Sequence, residues 1–216
     1  MNKKRIILIA GFVLLVELVV TVWLLYLHSQ TIEVIDNIAF IKAVGNQCRW
    51  KLENDCTVRI TERNLTAIRD VRSLNVSGMG LTDLSGIEYF HRMNNLDCSD
   101  NALTELDDIS ECTALIELDC SGNSLTELDV SGLSWLIELD CSSNALSVLN
   151  ISECTALKEL NCSGNNLEEF DCSFSGLTKL DMSNCRKLTS LNCSGNGMME
   201  LNVSGCTALT ELDCSE

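Results

Sequence analysis

The sequence predicts a repeat solenoid, mainly parallel β with short strands on both half-turns, preceded by one transmembrane helix. Three observations predict it. A frame L-x-x-L-x-C-S-x-N-x followed by L-x-x-L-x-V-S-x-C-x-x recurs with a 21-residue period. The composition is that of a repeated unit, with no proline and only 5% aromatic residues, and such bias directs attention to internal repeats before anything else. Finally, residues Ile6 to Leu27 are apolar apart from a single charge, Glu17.

The elements follow in order. Residues 1–5 form a cytoplasmic basic tip carrying Lys3, Lys4 and Arg5, and residues 6–27 a transmembrane signal anchor. As a helix the apolar run spans about 33 Å, enough for a bilayer core. It exceeds the usual signal-peptide core and lacks a small-x-small cleavage site, so an uncleaved anchor is expected over a cleaved signal. The basic flank places the N-terminus in the cytoplasm and the repeats outside, with Trp23 and Tyr26 at the outer interface. Glu17 has two readings, a polar contact between membrane helices or a tolerated single acid. Residues 28–47 continue as a helical stalk, with Ile32, Ile35, Ile38 and Ala39 at helical spacing. Residues 48–70 form an N-terminal cap of the repeats.

Half-turns begin at Val71, Leu81, Met93, Leu103, Leu115, Leu125, Leu136, Leu146, Leu157, Leu167, Leu177, Leu188, Met198 and Leu209, giving about seven turns over 71–216. Counting from each start, positions one, four, six and nine point inward. One unit cannot bury that face alone, but stacked turns can. The marks Cys at six and Asn at nine recur at Met93, Leu115, Leu136 and Leu157, then next at Leu188, an interval of one and a half turns. The expected explanation is that the two faces exchange sequence types, so that Cys98, Cys120, Cys141 and Cys162 form one ladder and Cys172, Cys193 and Cys214 another on the opposite side. The chain stops at "LTELDCSE" without the polar cap that solenoid ends need. Truncation is the expectation, and cover by a partner chain the alternative.

The frame "LxxLDCSGNxLTxLDVS" resembles the bacterial leucine-rich repeats, in particular the short nested class of about 21 residues. Residues 60–99, "ITERNLTAIRDVRSLNVSGMGLTDLSGIEYFHRMNNLDCS", resemble the lead-in of internalin-like surface proteins. The resemblance implies a right-handed parallel solenoid, extracytoplasmic display and a binding role without enzymatic activity. It leaves the ligand open, because fold does not fix function.

Cysteine is the residue type that most invites chemistry. Of thirteen, seven stand at position six and four (Cys112, Cys154, Cys185, Cys206) at position nine. Stacked repeats set thiols in a parallel column at about the 4.8 Å strand spacing, which suits neither a tetrahedral metal nor a disulfide. A thiolate nucleophile usually needs a nearby histidine, and His28 and His91 lie outside the frame. Core filling is therefore expected, with Cys120 interchangeable with valine. Cys48 and Cys56, eight apart before the repeats, are candidates for a disulfide, two unpaired thiols being the alternative. Asn101, Asn123, Asn144, Asn165 and Asn196 at position nine look like the family's asparagine ladder, their amides bonded to backbone groups. Asn-x-Ser/Thr triplets at Asn64, Asn75, Asn150, Asn161, Asn192 and Asn202 follow automatically from the repeat frame and carry little weight.

Outward positions three and five hold Glu117, Asp119, Glu138, Asp140, Glu159 and Asn161 in one phase, and Glu105, Asp107, Glu127, Asp129, Glu169 and Asp171 in the other. Stacked carboxylates repel, so stability alone does not favour them. The first six are the candidate binding surface, for a basic or polyhydroxylated partner or for calcium bridging adjacent turns. The competing reading is a soluble face whose charge keeps strands from aggregating. The net charge of -16 belongs to the repeats, where six Lys/Arg meet twenty-four Asp/Glu after residue 70. Such a body repels phosphate backbones and excludes nucleic acid as a partner. No catalytic constellation, metal site or cofactor is implied. The expected function is a membrane-anchored, extracytoplasmic, non-catalytic protein that binds a protein or surface glycan. A structural spacer and a secreted binding module are the alternatives.

Overall fold

The computed structural model describes residues 69–215. The anchor 6–27, the stalk 28–47, the pair Cys48 and Cys56 and nearly all of the cap 48–70 lie outside the described residues, as does Glu216. Among the described residues no helix is long and apolar enough to cross a membrane.

Each strand is three residues long: β1 (Ser73–Asn75), β2 (Asn95–Asp97), β3 (Glu117–Asp119), β4 (Glu127–Asp129), β5 (Glu138–Asp140), β6 (Val148–Asn150), β7 (Glu159–Asn161), β8 (Glu169–Asp171), β9 (Lys179–Asp181), β10 (Ser190–Asn192), β11 (Glu200–Asn202) and β12 (Glu211–Asp213). All pair in parallel, as a right-length crossover between successive turns requires. One face is a continuous seven-stranded sheet in the order β1-β2-β3-β5-β7-β9-β11. The other face is divided into β4-β6 and β8-β10-β12.

The expectation of strands on both half-turns needs correction for the first two turns, whose second halves form 3-10 helices at Ile87–Tyr89 and Asp107–Glu111. Half-turn length explains it. The halves starting at Leu81 and Leu103 run twelve residues, against ten or eleven later. A 3-10 helix advances about 2.0 Å per residue and a strand about 3.3 Å, so helical winding absorbs the excess. Ile87 and Ile109 then fill the core from one position later in the frame.

The faces do exchange sequence types. Lys179 of β9 is in register with Glu159 of β7, and Ser190 of β10 with Glu169 of β8. Met182, not Cys193, therefore follows Cys162, and the two sulfurs meet at 2.7 Å. Cys98, Cys120, Cys141 and Cys162 follow four consecutive strands of one sheet, while Cys172, Cys193 and Cys214 follow the three of another.

Inward positions build a single core. Leu118, Leu139 and Leu160 at position four and Cys120, Cys141 and Cys162 at position six are all buried. Burial raises the Cys120, Cys141 and Cys162 thiols well above the ordinary range, with neighbouring charges adding to it. Cys172 is pushed up to about 12 mainly by burial. A thiol whose pKa lies far above the solution pH holds almost no thiolate, and thiolate is the reacting form. Among the described cysteines, native iodoacetamide treatment at pH 8 should thus modify exposed Cys214 first. Peptide mass mapping should find Cys120, Cys141 and Cys162 unmodified until the chain is unfolded.

Candidate binding groove

Positions three and five alternate with buried position four, so the pleat turns both outward on the same face. Parallel in-register stacking then lines up like with like. Glu117, Glu138 and Glu159 form one row and Asp119, Asp140 and Asn161 a second. All six sequence-predicted residues are brought together along one groove of the continuous sheet, which also receives Asn95 and Asp97 from β2 and Lys179 and Asp181 from β9. The equivalent acids of the other phase are dispersed over the divided sheets, the second 3-10 helix and the segment just before it.

The two rows have different environments. At position five one side-chain oxygen turns back to hold the bend that ends the strand. Asp119 Oδ1 accepts from the Ser121 amide at 3.0 Å and from its hydroxyl at 2.6 Å. Asp140 accepts from the Ser142 amide at 2.9 Å, and Asn161 from the Ser163 amide at 3.2 Å. The Asn161 amide also donates to Asp140 Oδ2 at 2.9 Å, offsetting some of the stacked charge. This is an Asx turn, the reason Asp and Asn favour such sites. Its signal, Asp or Asn two before Ser, stands in nearly every half-turn and was hidden by reading position five as outward charge alone. The same bonds leave their mark on the divided face. Hydrogen bonds from Ser131 and Ser173 hold the Asp129 and Asp171 carboxyls below their usual range.

Position three has no such duty. Glu117 accepts from the Asn95 amide at one end of the row. Glu159 at the other faces Lys179 Nζ at 3.4 Å, and that ammonium also lies 4.0 Å from Glu200. Glu138 sits between two carboxylates in register. Such an exposed row gains little from its partners.

The asparagine ladder stitches the turns beneath this surface. Asn123 Nδ2 donates to Cys98 O of the preceding turn at 3.1 Å and to Cys120 O of its own at 3.0 Å, while its Oδ1 accepts from the Leu103 amide at 3.0 Å. Cysteines at position nine keep part of this. Cys154 Sγ donates to Val130 O at 3.0 Å, Cys185 to Cys162 O at 3.2 Å and Cys206 to Met182 O at 3.0 Å. A thiol supplies one weak donor and no strong acceptor. Among the described residues no group of three or more His, Cys, Asp or Glu is disposed to hold a metal ion.

A parallel solenoid with strands on both half-turns, an asparagine ladder and a lined face defines the class, that of leucine-rich repeat proteins. The chain belongs to the family described as the endo-beta-N-acetylglucosaminidase EndoS LRR domain, which matches residues 51–185, and it is an internalin-like bacterial leucine-rich repeat protein. Among solved structures it is similar to the functional domain of InlJ from Listeria monocytogenes, which includes a cysteine ladder. That match has 36% identity and a TM-score of 0.53, and covers 69% of this chain and 36% of that one. The chain therefore spans little more than a third of the InlJ domain. Internalin C2 of Listeria monocytogenes shares the fold at 20% identity and a TM-score of 0.55, with 81% of each chain covered. The leucine-rich repeat domain of APL1B does so at 20% identity and a TM-score of 0.51, over 66% of this chain and 50% of that one. Curated proteins give no match.

Proposed function

We propose that this chain is a membrane-anchored, extracytoplasmic binding protein without chemistry of its own, which engages a basic protein or a surface glycan through the groove of its continuous sheet. One observation carries the reading: Glu117, Glu138 and Glu159 are stacked in register on that groove although no turn or core contact requires them there. Asp119 and Asp140 have a structural role in their turns, so the argument for recognition rests on the glutamates. Like charges held side by side cost stability, and a cationic partner would relieve that cost. The resulting attraction raises association rate and specificity and weakens with salt.

The test is capture of surface proteins and glycans by the immobilised chain, against a Glu117→Lys/Glu138→Lys/Glu159→Lys variant and a Glu127→Lys/Glu169→Lys variant altered on the divided face. A partner held by the natural chain should be lost about tenfold or more from the first variant, retained by the second, and released as salt rises. Equal retention by all three would remove the groove as the binding surface, and capture of nothing by the natural chain would leave the spacer reading. The anchor is tested by mass spectrometry of the native N-terminus, where recovery of a chain beginning after residue 27 would make the protein a secreted module.

A further inference from the structure

The division of the second face is a place where the stack is left open. At every other junction of that face's strands the backbone ladder is intact: Val130 N donates to Asn150 O and Gly132 N to Ser152 O at 3.0 Å each, and Cys172 N to Asn192 O at 2.8 Å. Between β6 and β8, spaced by the usual 21 residues, no strand pairing and no backbone bond exists among the described residues. The amides of Ile151 and Glu153, counterparts of Val130 and Gly132, thus face an opening. It has a volume of about 520 Å³ and is lined by Leu149, Ile151 and Glu153 on one bank and by Asp171, Ser173 and Phe174 on the other. At its two ends the turns are joined again, by Asn166 N to Leu146 O at 2.9 Å and by Lys158 Nζ to Gly176 O at 2.9 Å.

The sequence explains the opening. Position nine of the half starting at Leu167 is neither Asn nor Cys but Ser175, whose hydroxyl bonds within its own turn to Ser173 O at 3.5 Å. The stitch that would reach Ile151 O is missing. Position eight is Phe174, with φ of 53°, a left-handed conformation that costs a bulky side chain energy. Its ring is 82% exposed at the rim. The core shows through as well: Leu149 and Ile151 are half-buried where their neighbours Leu128 and Val130 are closed off.

We infer that this gap between β6 and β8 is a docking slot for an extended, basic peptide of a partner protein, which adds a strand by pairing with the free edge of β6. The chemistry fixes the occupant. Unpaired strand edges take another strand, main-chain bonds giving affinity and alternate side chains giving specificity. Side chains pointing inward meet Leu149 and Ile151 and are apolar. Those pointing outward meet Glu153 and Asp171 and are cationic. The slot accepts about six residues, the stretch over which β6 bonds to β4, from Ser147 N on Thr126 O to Gly132 N on Ser152 O. It lies on the face opposite the groove and is independent of it.

The experiment measures fluorescence anisotropy of a labelled Val-Lys-Val-Lys-Val-Lys peptide with the full chain. Saturable binding is expected. N-methylation of alternate peptide amides, which removes donors without changing charge, should weaken it at least about tenfold. So should Ser175→Asn, which restores an amide able to reach Ile151 O and closes the stack. A Val-Glu peptide should not bind. Absence of Val-Lys binding overturns the proposal. So does binding indifferent to both N-methylation and Ser175→Asn, which would locate the peptide in the acidic groove and leave the reading of that groove standing. Should Ser175→Asn fail to fold, N-methylation on the natural chain decides alone.

Discussion

Asn165→Ala is expected to destabilise the solenoid by about 2–3 kcal/mol in urea denaturation, although it removes an uncharged side chain and leaves only a small void. Asn165 is 3% exposed. Its amide donates to Cys141 O of the turn before and to Cys162 O of its own, each at 3.0 Å, and its oxygen accepts from the Leu146 amide at 2.9 Å. Cys162 O keeps the Cys185 thiol as a partner and Cys141 O keeps the Asn144 amide at 3.1 Å, but alanine orphans the Leu146 amide. A buried unsatisfied group costs about 1–3 kcal/mol, and a lost bond to a carbonyl that keeps another partner costs less, so the stranded Leu146 amide decides the size of the effect. Asn165→Cys separates that amide from the two carbonyls. Its thiol can reach back as Cys154 does to Val130 O but offers nothing strong to the Leu146 amide, and most of the loss should remain. A loss below about 1 kcal/mol for the alanine variant would mean that water takes over the ladder, and the turns would then be held by their leucines alone.

That contrast between Asn and Cys at position nine also accounts for what could be read from sequence. The exchange of faces was legible because it is written in residues that are present: the marks Cys and Asn vanish at Leu177 and return at Leu188, and the turn lengths admit no bulge. The 3-10 helices were legible in principle from two halves of twelve residues, but the leucine frame continues through Leu84 and Leu106 and disguised them. The outward placement of the six candidate residues was legible, and so was their alignment, since a strict period fixes register. Their division into turn-holding aspartates and glutamates without a turn to hold was not, because both read as outward acid until Ser121 and Ser142 are seen to bond back. The open junction was the least legible. It follows from something missing, a donor at Ser175 long enough to cross, and neither hydrophobic period nor charge registers the loss of a single reach across the stack.

The open junction gives the second large expectation, a difference between two leucines in the same position of the frame. Leu139→Ala should cost about 3 kcal/mol and Leu149→Ala only about 1 kcal/mol. Both stand at position four. Leu139 is 2% exposed and in register with Leu118 on one side and Leu160 on the other, so its removal leaves a cavity walled by both neighbouring turns. Leu149 is in register with Leu128 alone, and its other side borders the gap, where water or chain can relax into the space. In a solenoid, stability is nearly a sum of nearest-neighbour terms, and Leu149 has lost one of its two. The deficit should be recoverable. In a Ser175→Asn background, where the restored stitch draws β8 against β6, Leu149→Ala should approach the cost of Leu139→Ala, giving a coupling of about 1–2 kcal/mol in the double-mutant cycle. If Leu149→Ala already costs as much as Leu139→Ala in the natural chain, β6 and β8 are packed together in solution and no slot is present. If the two differ as expected and the coupling appears, a single side chain at position nine determines whether that face of the solenoid is closed or open.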